Sequence, residues 1–253
     1  MNAQINNEEI MKEEVELENS VSEKFYFDAK EYWSEVPATI DGMLGGFSFI
    51  SQNDIKSSRL LLKQLFHSVN PPDRKYALDC GAGIGRITKH LLVDLFEKVD
   101  LVDQNKAFLD QAVKYIGPQF LHKIGNFYCC GLQMFIPEPC KYDVIWVQWV
   151  LGHLTNFHLI KFLMMCRKGL KPNGVIIVKE NVTSTDTVEL DEKDSSYTRP
   201  LSLMKQLFTQ SNLICYRQMK QQNFPNCLYS VYMFVLKPCT HDFTCEPSKI
   251  END

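Results

Sequence analysis

From residue 76 onward, short apolar runs alternate with stretches whose apolar residues recur every three or four positions. The runs at 76–80 (YALDC), 98–102, 123–130, 142–148 and 174–180 have the length and near-continuous hydrophobicity of strands buried on both faces. The stretches at 84–96, 105–116 and 156–169 carry helical spacing. Connections of a few residues join them, among them the turn KPNG (171–174). This alternation predicts an α/β fold, a doubly wound, Rossmann-like and mostly parallel sheet. Two later runs, at about 213–219 and 228–236, complete seven strands and read as an antiparallel addition, so that the last strand runs against the others. Pro200 predicts a further helix with proline in its first turn.

Upstream, EKFYFDAKEYWSEV (23–36) places Phe25, Ala29, Tyr32, Trp33 and Val36 at helical spacing, and Pro37 ends that helix. DGMLGG (41–46) reads as a loop leading into a Ser- or Asn-capped helix, Asp54–Phe66. The chain is thus expected to comprise a mobile acidic tail (1–22), a helical cap (23–70), the sheet-bearing core (71–236) and a polar C-terminal tail (237–253).

Charge refines this picture. The net charge is −4, with 27 basic and 31 acidic residues. One Lys and six Glu fall within residues 1–22, so the remainder is close to neutral and offers no bulk basic surface for nucleic acid. Hydrophobic content of 45% with 23% charged residues is that of a soluble globular chain. No apolar run approaches the roughly 20 residues that cross a bilayer, and the acidic start lacks a secretory signal pattern. Nine cysteines in such a chain read as reduced thiols of the cytosol or nucleus. They form no C-x-x-C pair and no His stands at finger spacing, so no metal site is expected.

The first chemical motif is LDCGAGIGR (78–86), a glycine-rich turn between strand and helix. Gly81, Gly83 and Gly85 let the backbone turn tightly and let a ligand approach with no Cβ in the way. Asp79 precedes the turn, and Asp103 closes the next strand 18 residues after Gly85, where a carboxylate can accept both hydroxyls of a ribose. Nicotinamide dinucleotides and S-adenosylmethionine both use this arrangement. The D-x-G-x-G-x-G form and the closing antiparallel strands favour S-adenosylmethionine. Arg86 then either salt-bridges the methionine carboxylate or is a solvated helix residue. A second motif, VIWVQWVLGHL (144–154), begins as a core strand and ends with Gln148, Trp149 and His153. Trp149 is either core or a ligand wall, and His153 either packs near a helix start or faces a ligand. The carboxyl edge of an open α/β sheet is where ligands bind.

Four stretches together resemble one family, the protein α-N-terminal methyltransferases: DGMLGG (41–46), ALDCGAGIGRITK (77–89), YDVIWVQWVLGHL (142–154) and LDEKDSS (190–196). CCGLQ (129–133) and LYSVYMFVL (228–236) support them, and the similarity spans about 23–236. The family methylates the free amino terminus of proteins that begin X-Pro-Lys or X-Pro-Arg. The resemblance implies an enzyme of the nucleus and cytoplasm that uses S-adenosylmethionine, with no direct nucleic-acid or membrane partner. It implies cofactor contacts at Gly81, Gly83, Arg86, Asp103, Gln104, Leu132, Gln133 and Gln148. It implies a peptide channel formed by Trp33, Leu44, Trp149, Leu228 and Tyr229, with Trp149 on the substrate proline and Asn181 on the leading backbone. Asp191, Asp194 and Ser196 would receive the third-position cation, and Asp194 and His153 would be general bases. The chain departs from the family's pattern in having Glu180 before Asn181, one extra residue between Asn181 and Asp191, Pro200 after Arg199, and Phe47 in place of a tyrosine. A small-molecule methyltransferase and a catalytically silent peptide binder are alternatives on the same fold.

Overall fold

The computed structural model describes residues 22–239, so the two expected tails lie outside it apart from residue 22 and residues 237–239. The described residues form a seven-stranded sheet between two layers of helices. Its strands are β1 (Tyr76–Cys80), β2 (Lys98–Asp103), β3 (Ile124–Cys129), β4 (Tyr142–Gln148), β5 (Leu170–Val182), β8 (Leu213–Lys220) and β9 (Ser230–Pro238). They lie in the order β3-β2-β1-β4-β5-β9-β8. β9 runs antiparallel to both of its neighbours, and the remaining pairings are parallel. The fold class therefore follows the alternation of the sequence.

The helices are α1 (22–35), α2 (Ile40–Met43), α3 (Ser51–Phe66), α4 (86–95), α5 (Lys106–Ile116), α6 (Asn156–Gly169) and α7 (Leu201–Gln210). One core layer packs α6 and α7 on the sheet through Leu159, Phe162, Met204 and Phe208. The other packs α3, α4 and α5 through Leu61, Leu65, Leu91, Leu109 and Ile116. All seven residues of β4 are buried, as a central strand covered on both faces requires.

Several boundaries differ from expectation for local reasons. α3 begins at Ser51, behind a 3-10 turn (Ser48–Ile50), and its N-cap Ile50 makes no side-chain bond. DGMLGG is partly helical, because the Thr39 hydroxyl caps α2 by accepting from Gly42 N at 3.1 Å. α4 starts two residues later than its apolar spacing suggested, since Gly83 and Gly85 take positive φ. KPNG is not a turn between α6 and the strand; β5 begins at Leu170 and runs through it, and its register against β4 shifts there while Asn173 takes φ 64°. The acidic loop is a hairpin of β6 (Glu189–Asp191) and β7 (Ser196–Thr198). Pro200 is the N-cap of α7 and not its first residue. Cys80, Cys129, Cys130, Cys166, Cys215, Cys227 and Cys239 are free thiols, whereas Cys140 is disulfide-bonded, contrary to the reading of nine reduced cysteines. Among the described residues, no helix is long and apolar enough to cross a membrane.

Candidate active site

β1 and β4 are neighbours in the sheet, but the chain leaves them in opposite directions, toward β2 and toward β5. Their carboxyl ends therefore open a crevice at the point where strand order reverses. The chain leaves β1 through Gly81 (φ 68°) and Gly83 (φ 54°). A Cβ on Gly81 would stand 2.7 Å from Val150 Cβ, so the glycine turn lies directly against the chain leaving β4. Gly83 N donates to Asp103 Oδ2 at 2.8 Å, and Asn105 N donates to Asp103 Oδ1 at 2.8 Å. Asn105 caps α5 and donates from Nδ2 to Trp33 O at 3.0 Å, which ties α1 across the crevice. Asp79 accepts from Thr88 Oγ1 (2.6 Å) and Thr88 N (3.1 Å). Burial outweighs these bonds and raises its carboxyl to about 6.

β4 ends abruptly. Trp149 N still donates to Lys179 O at 3.0 Å, and the residue then takes φ 51°. A left-handed conformation in a large side chain costs roughly 1–3 kcal/mol and must be held by its surroundings. Two buried groups do this. Glu180 Oε1 accepts from Val150 N (2.7 Å) and Leu151 N (2.8 Å). Arg199 donates to the carbonyls of Leu151 (2.9 Å) and Leu154 and to Asn156 Oδ1 (2.8 Å). Burial pushes Glu180 up to about 7 against these backbone bonds, and pushes Arg199 down to about 10 against the pull of Glu180. A carboxyl raised on folding binds more protons in the folded than in the unfolded state, so its stabilisation is lost as pH rises through that window. Glu180→Gln keeps the acceptor but not the titration. Between pH 5 and 7.5 the stability of the wild type should fall relative to this variant, with a limiting slope of about 1.4 kcal/mol per pH unit for one proton. Chemical denaturation at a series of pH values measures it.

Beneath the crevice lies a buried charge cluster. Asp54 accepts from Arg86 Nη1 (2.8 Å), Lys179 Nζ (2.5 Å) and Gln148 Nε2 (2.9 Å). Burial alone would raise its carboxyl, but the two cations outweigh this and hold it below the usual range. Gln148 Oε1 accepts from Trp146 Nε1 at 3.0 Å, which fixes the amide's orientation. At the mouth, the half-buried His153 accepts at Nε2 from the Trp33 indole N–H (3.0 Å). An indole can only donate, so Nδ1 carries the proton, directed at Ser195 O at 3.2 Å. Burial keeps the ring neutral to lower pH than usual, and Asp194 opposes that shift.

All eight expected cofactor positions, Gly81, Gly83, Arg86, Asp103, Gln104, Leu132, Gln133 and Gln148, line one cleft. Trp33, Trp149 and His153 line it with them. The other expected positions do not. Leu44 is buried at the end of α2. Asn181 is on β5 opposite Val231. Asp191 and Asp194 are in the hairpin, bonded to Lys193 N (2.9 Å) and the Ser196 hydroxyl (2.6 Å). Leu228 and Tyr229 precede β9, and Tyr229 donates to Glu189 Oε2 at 2.5 Å. The hairpin adjoins the cleft mouth through Ser195 O and through Phe25 stacked on Tyr197 at 5.0 Å.

Asp54, Lys179 and Arg199 are not among the expected site residues, nor are Tyr26, Met43 and Phe108 of the lining. The signal for Lys179 was present, as a lysine inside the apolar strand GVIIVKENV requires a buried partner.

Residues 21–237 match the family model of AdoMet-dependent proline di-methyltransferases. The chain belongs to this family. The methyltransferase is 48% identical over 216 residues to the N-terminal Xaa-Pro-Lys N-methyltransferase 1 of Xenopus tropicalis, covering 85% of this chain and 96% of that protein. It is 47% identical over 215 residues to the Homo sapiens protein of the same name, with the same coverage. A solved S-adenosylmethionine-dependent methyltransferase of Leishmania major superposes with a TM-score of 0.79 at 36% identity, covering 84% of this chain and 83% of that one. This chain is thus an S-adenosylmethionine-dependent methyltransferase.

Proposed function

We propose that the enzyme transfers methyl groups to the free α-amino group of proteins whose processed N-terminus reads X-Pro-Lys or X-Pro-Arg, in the nucleus and cytoplasm. The observation that carries this reading is the placement of Trp33, Trp149 and His153 in the same cleft as the glycine turn and Arg86. Relatives that share nearly half of its residues bear the name N-terminal Xaa-Pro-Lys N-methyltransferase.

The residues present fit the cofactor. The turn at Gly81 and Gly83 lines the cleft with backbone that carries no Cβ, and Asp103, Gln104, Leu132 and Gln133 line the end suited to a nucleoside. Arg86 and Gln148 line the end suited to an amino acid. When bound, S-adenosylmethionine supplies an electrophilic methyl group on a sulfonium.

The protein's own task is to present a lone pair in line. An α-ammonium has none until it loses a proton, and its pKa of ~8 makes that loss far easier than for a lysine side chain at ~10.4. Asp194 takes the proton at Oδ2, since Oδ1 already holds the Ser196 hydroxyl. His153 offers Nε2 once the Trp33 N–H releases it, and its depressed pKa keeps that lone pair free near neutrality. Trp149, with Trp33, Leu44, Leu228 and Tyr229, walls a channel in which proline is selected by shape. Asn181 holds the leading backbone, and Asp191, Asp194 and Ser196 receive the third-position cation.

Purified enzyme, S-adenosylmethionine and the peptide Ser-Pro-Lys-Arg should give products heavier by one or more methyl groups at the N-terminus, resolved by fragment mass spectrometry. The N-acetylated peptide should give none. Equal labelling of the two peptides, or of neither, would overturn the reading.

A further inference from the structure

We propose that Lys179, acting through Asp54, is a positioning residue that makes the cofactor cleft selective for a ligand carboxylate, because it leaves one buried positive charge on Arg86 unmatched. This rests on the S-adenosylmethionine dependence of the family and not on the peptide reading above.

Arg86, Lys179 and Asp54 are 5%, 0% and 0% exposed. Arg86 and Lys179 approach different oxygens of the Asp54 carboxylate, at 2.8 and 2.5 Å. Two cations share one anion, so the cluster carries one excess positive charge. Lys179 is an ammonium by its surroundings: Nζ faces Asp54 Oδ1, Asp54 O (3.2 Å), Ser58 Oγ (3.0 Å) and Gln221 Oε1 (2.8 Å). Burial pulls its pKa down, but the Asp54 carboxylate opposes that shift, and of these four oxygens only the Ser58 hydroxyl could donate to a neutral amine's lone pair. Lys179 has no exposed surface, whereas Arg86 lines the cleft, so a balancing anion can reach the cluster only at Arg86.

An uncompensated buried charge is costly, and a ligand carboxylate at Arg86 removes that cost. Without Lys179, Arg86 and Asp54 would form a closed neutral pair with little pull on a further anion. Gln148 reinforces the arrangement by donating to the Asp54 oxygen that also faces Lys179. Asp79 lines the same cleft but directs its hydrogen bonds to Thr88 and not to Arg86, which leaves its charge for the ammonium of the same amino acid.

The test compares two ligands by titration calorimetry. S-adenosylhomocysteine carries both the carboxylate and the ammonium, and its decarboxylated analogue keeps only the ammonium. The wild type should prefer S-adenosylhomocysteine by about 10²-fold, the scale of one buried charge contact. In Lys179→Met that preference should fall at least about 10-fold, while affinity for the decarboxylated analogue stays within about 2-fold. Lys179→Gln, which keeps polar contacts without the charge, should behave alike. A wild-type preference below about 3-fold, or equal weakening of both ligands in the variants, would overturn the proposal, as would unchanged selectivity. Failure of both variants to fold would also count against it. Replacing one cation of a two-to-one cluster leaves a neutral pair, which a fold tolerates, and binding of the decarboxylated analogue reports that the fold is intact.

Discussion

Asp194→Asn should lower kcat on an X-Pro-Lys peptide by about 10²-fold at pH 7, at the low end of what a positioned base contributes. Asparagine keeps the volume and an acceptor for the Ser196 hydroxyl, now 2.6 Å from Asp194 Oδ1, so the hairpin should persist. What disappears is the group that receives the proton of the α-ammonium. The deficit should shrink as pH rises past ~8, because solvent then deprotonates the amine unaided. Initial rates from pH 6.5 to 9.5 check this. A deficit equally large at pH 9.5, with KM raised in proportion, would mean that Asp194 acts only on the substrate's third-position cation. Lys-to-norleucine substitution in the peptide separates the two effects.

Gly81→Ala should cost about 2–5 kcal/mol of stability and most of the cofactor affinity. The first contribution is local, since φ 68° is costly for any residue with a Cβ, at roughly 1–2 kcal/mol. The second is steric. The new carbon would meet Val150 Cβ and Cγ2 at 2.7 Å, and forced overpacking adds roughly 1–3 kcal/mol. Val150 cannot retreat freely, because its N–H is bonded to Glu180 and it follows the left-handed Trp149. Pairing the change with Val150→Ala should recover the steric part and leave the conformational part. Denaturation midpoints of the two singles and the double give that coupling energy directly. Additivity of the two changes would show that the glycine turn and the Trp149 turn do not press on each other as the geometry requires.

The parts of this molecule that were legible in its sequence are local. Each central strand declares itself by burial on both faces, and Asn105 declares the start of α5 by its cap. The glycine turn follows β1 within the same stretch of chain, so the cradle and Asp103 could be read together. The hairpin at 189–198 was not read as strands. Its strands are three residues each, with no fully buried position in either, so they carry no burial pattern, and they pair only because β5 and α7 bring their ends together. Likewise, β5 passing through KPNG depends on its pairing with β4 and not on any local signal.

The sequence by itself determined the sheet, its parallel sense, the glycine turn and the emergence of Gln148 and Trp149 at a strand's carboxyl edge. Hydrophobic period and turn chemistry act over a few residues and are written in the chain. Only the tertiary structure decided which charges meet. Asp54 lies 125 positions from Lys179 and 32 from Arg86, on elements whose patterns read simply as helix and strand. Electrostatic energy in a buried site depends on distances of a few ångströms across such elements, and on water being excluded from all of them at once. The same holds for His153, whose tautomer was decided by an indole on α1, 120 positions away.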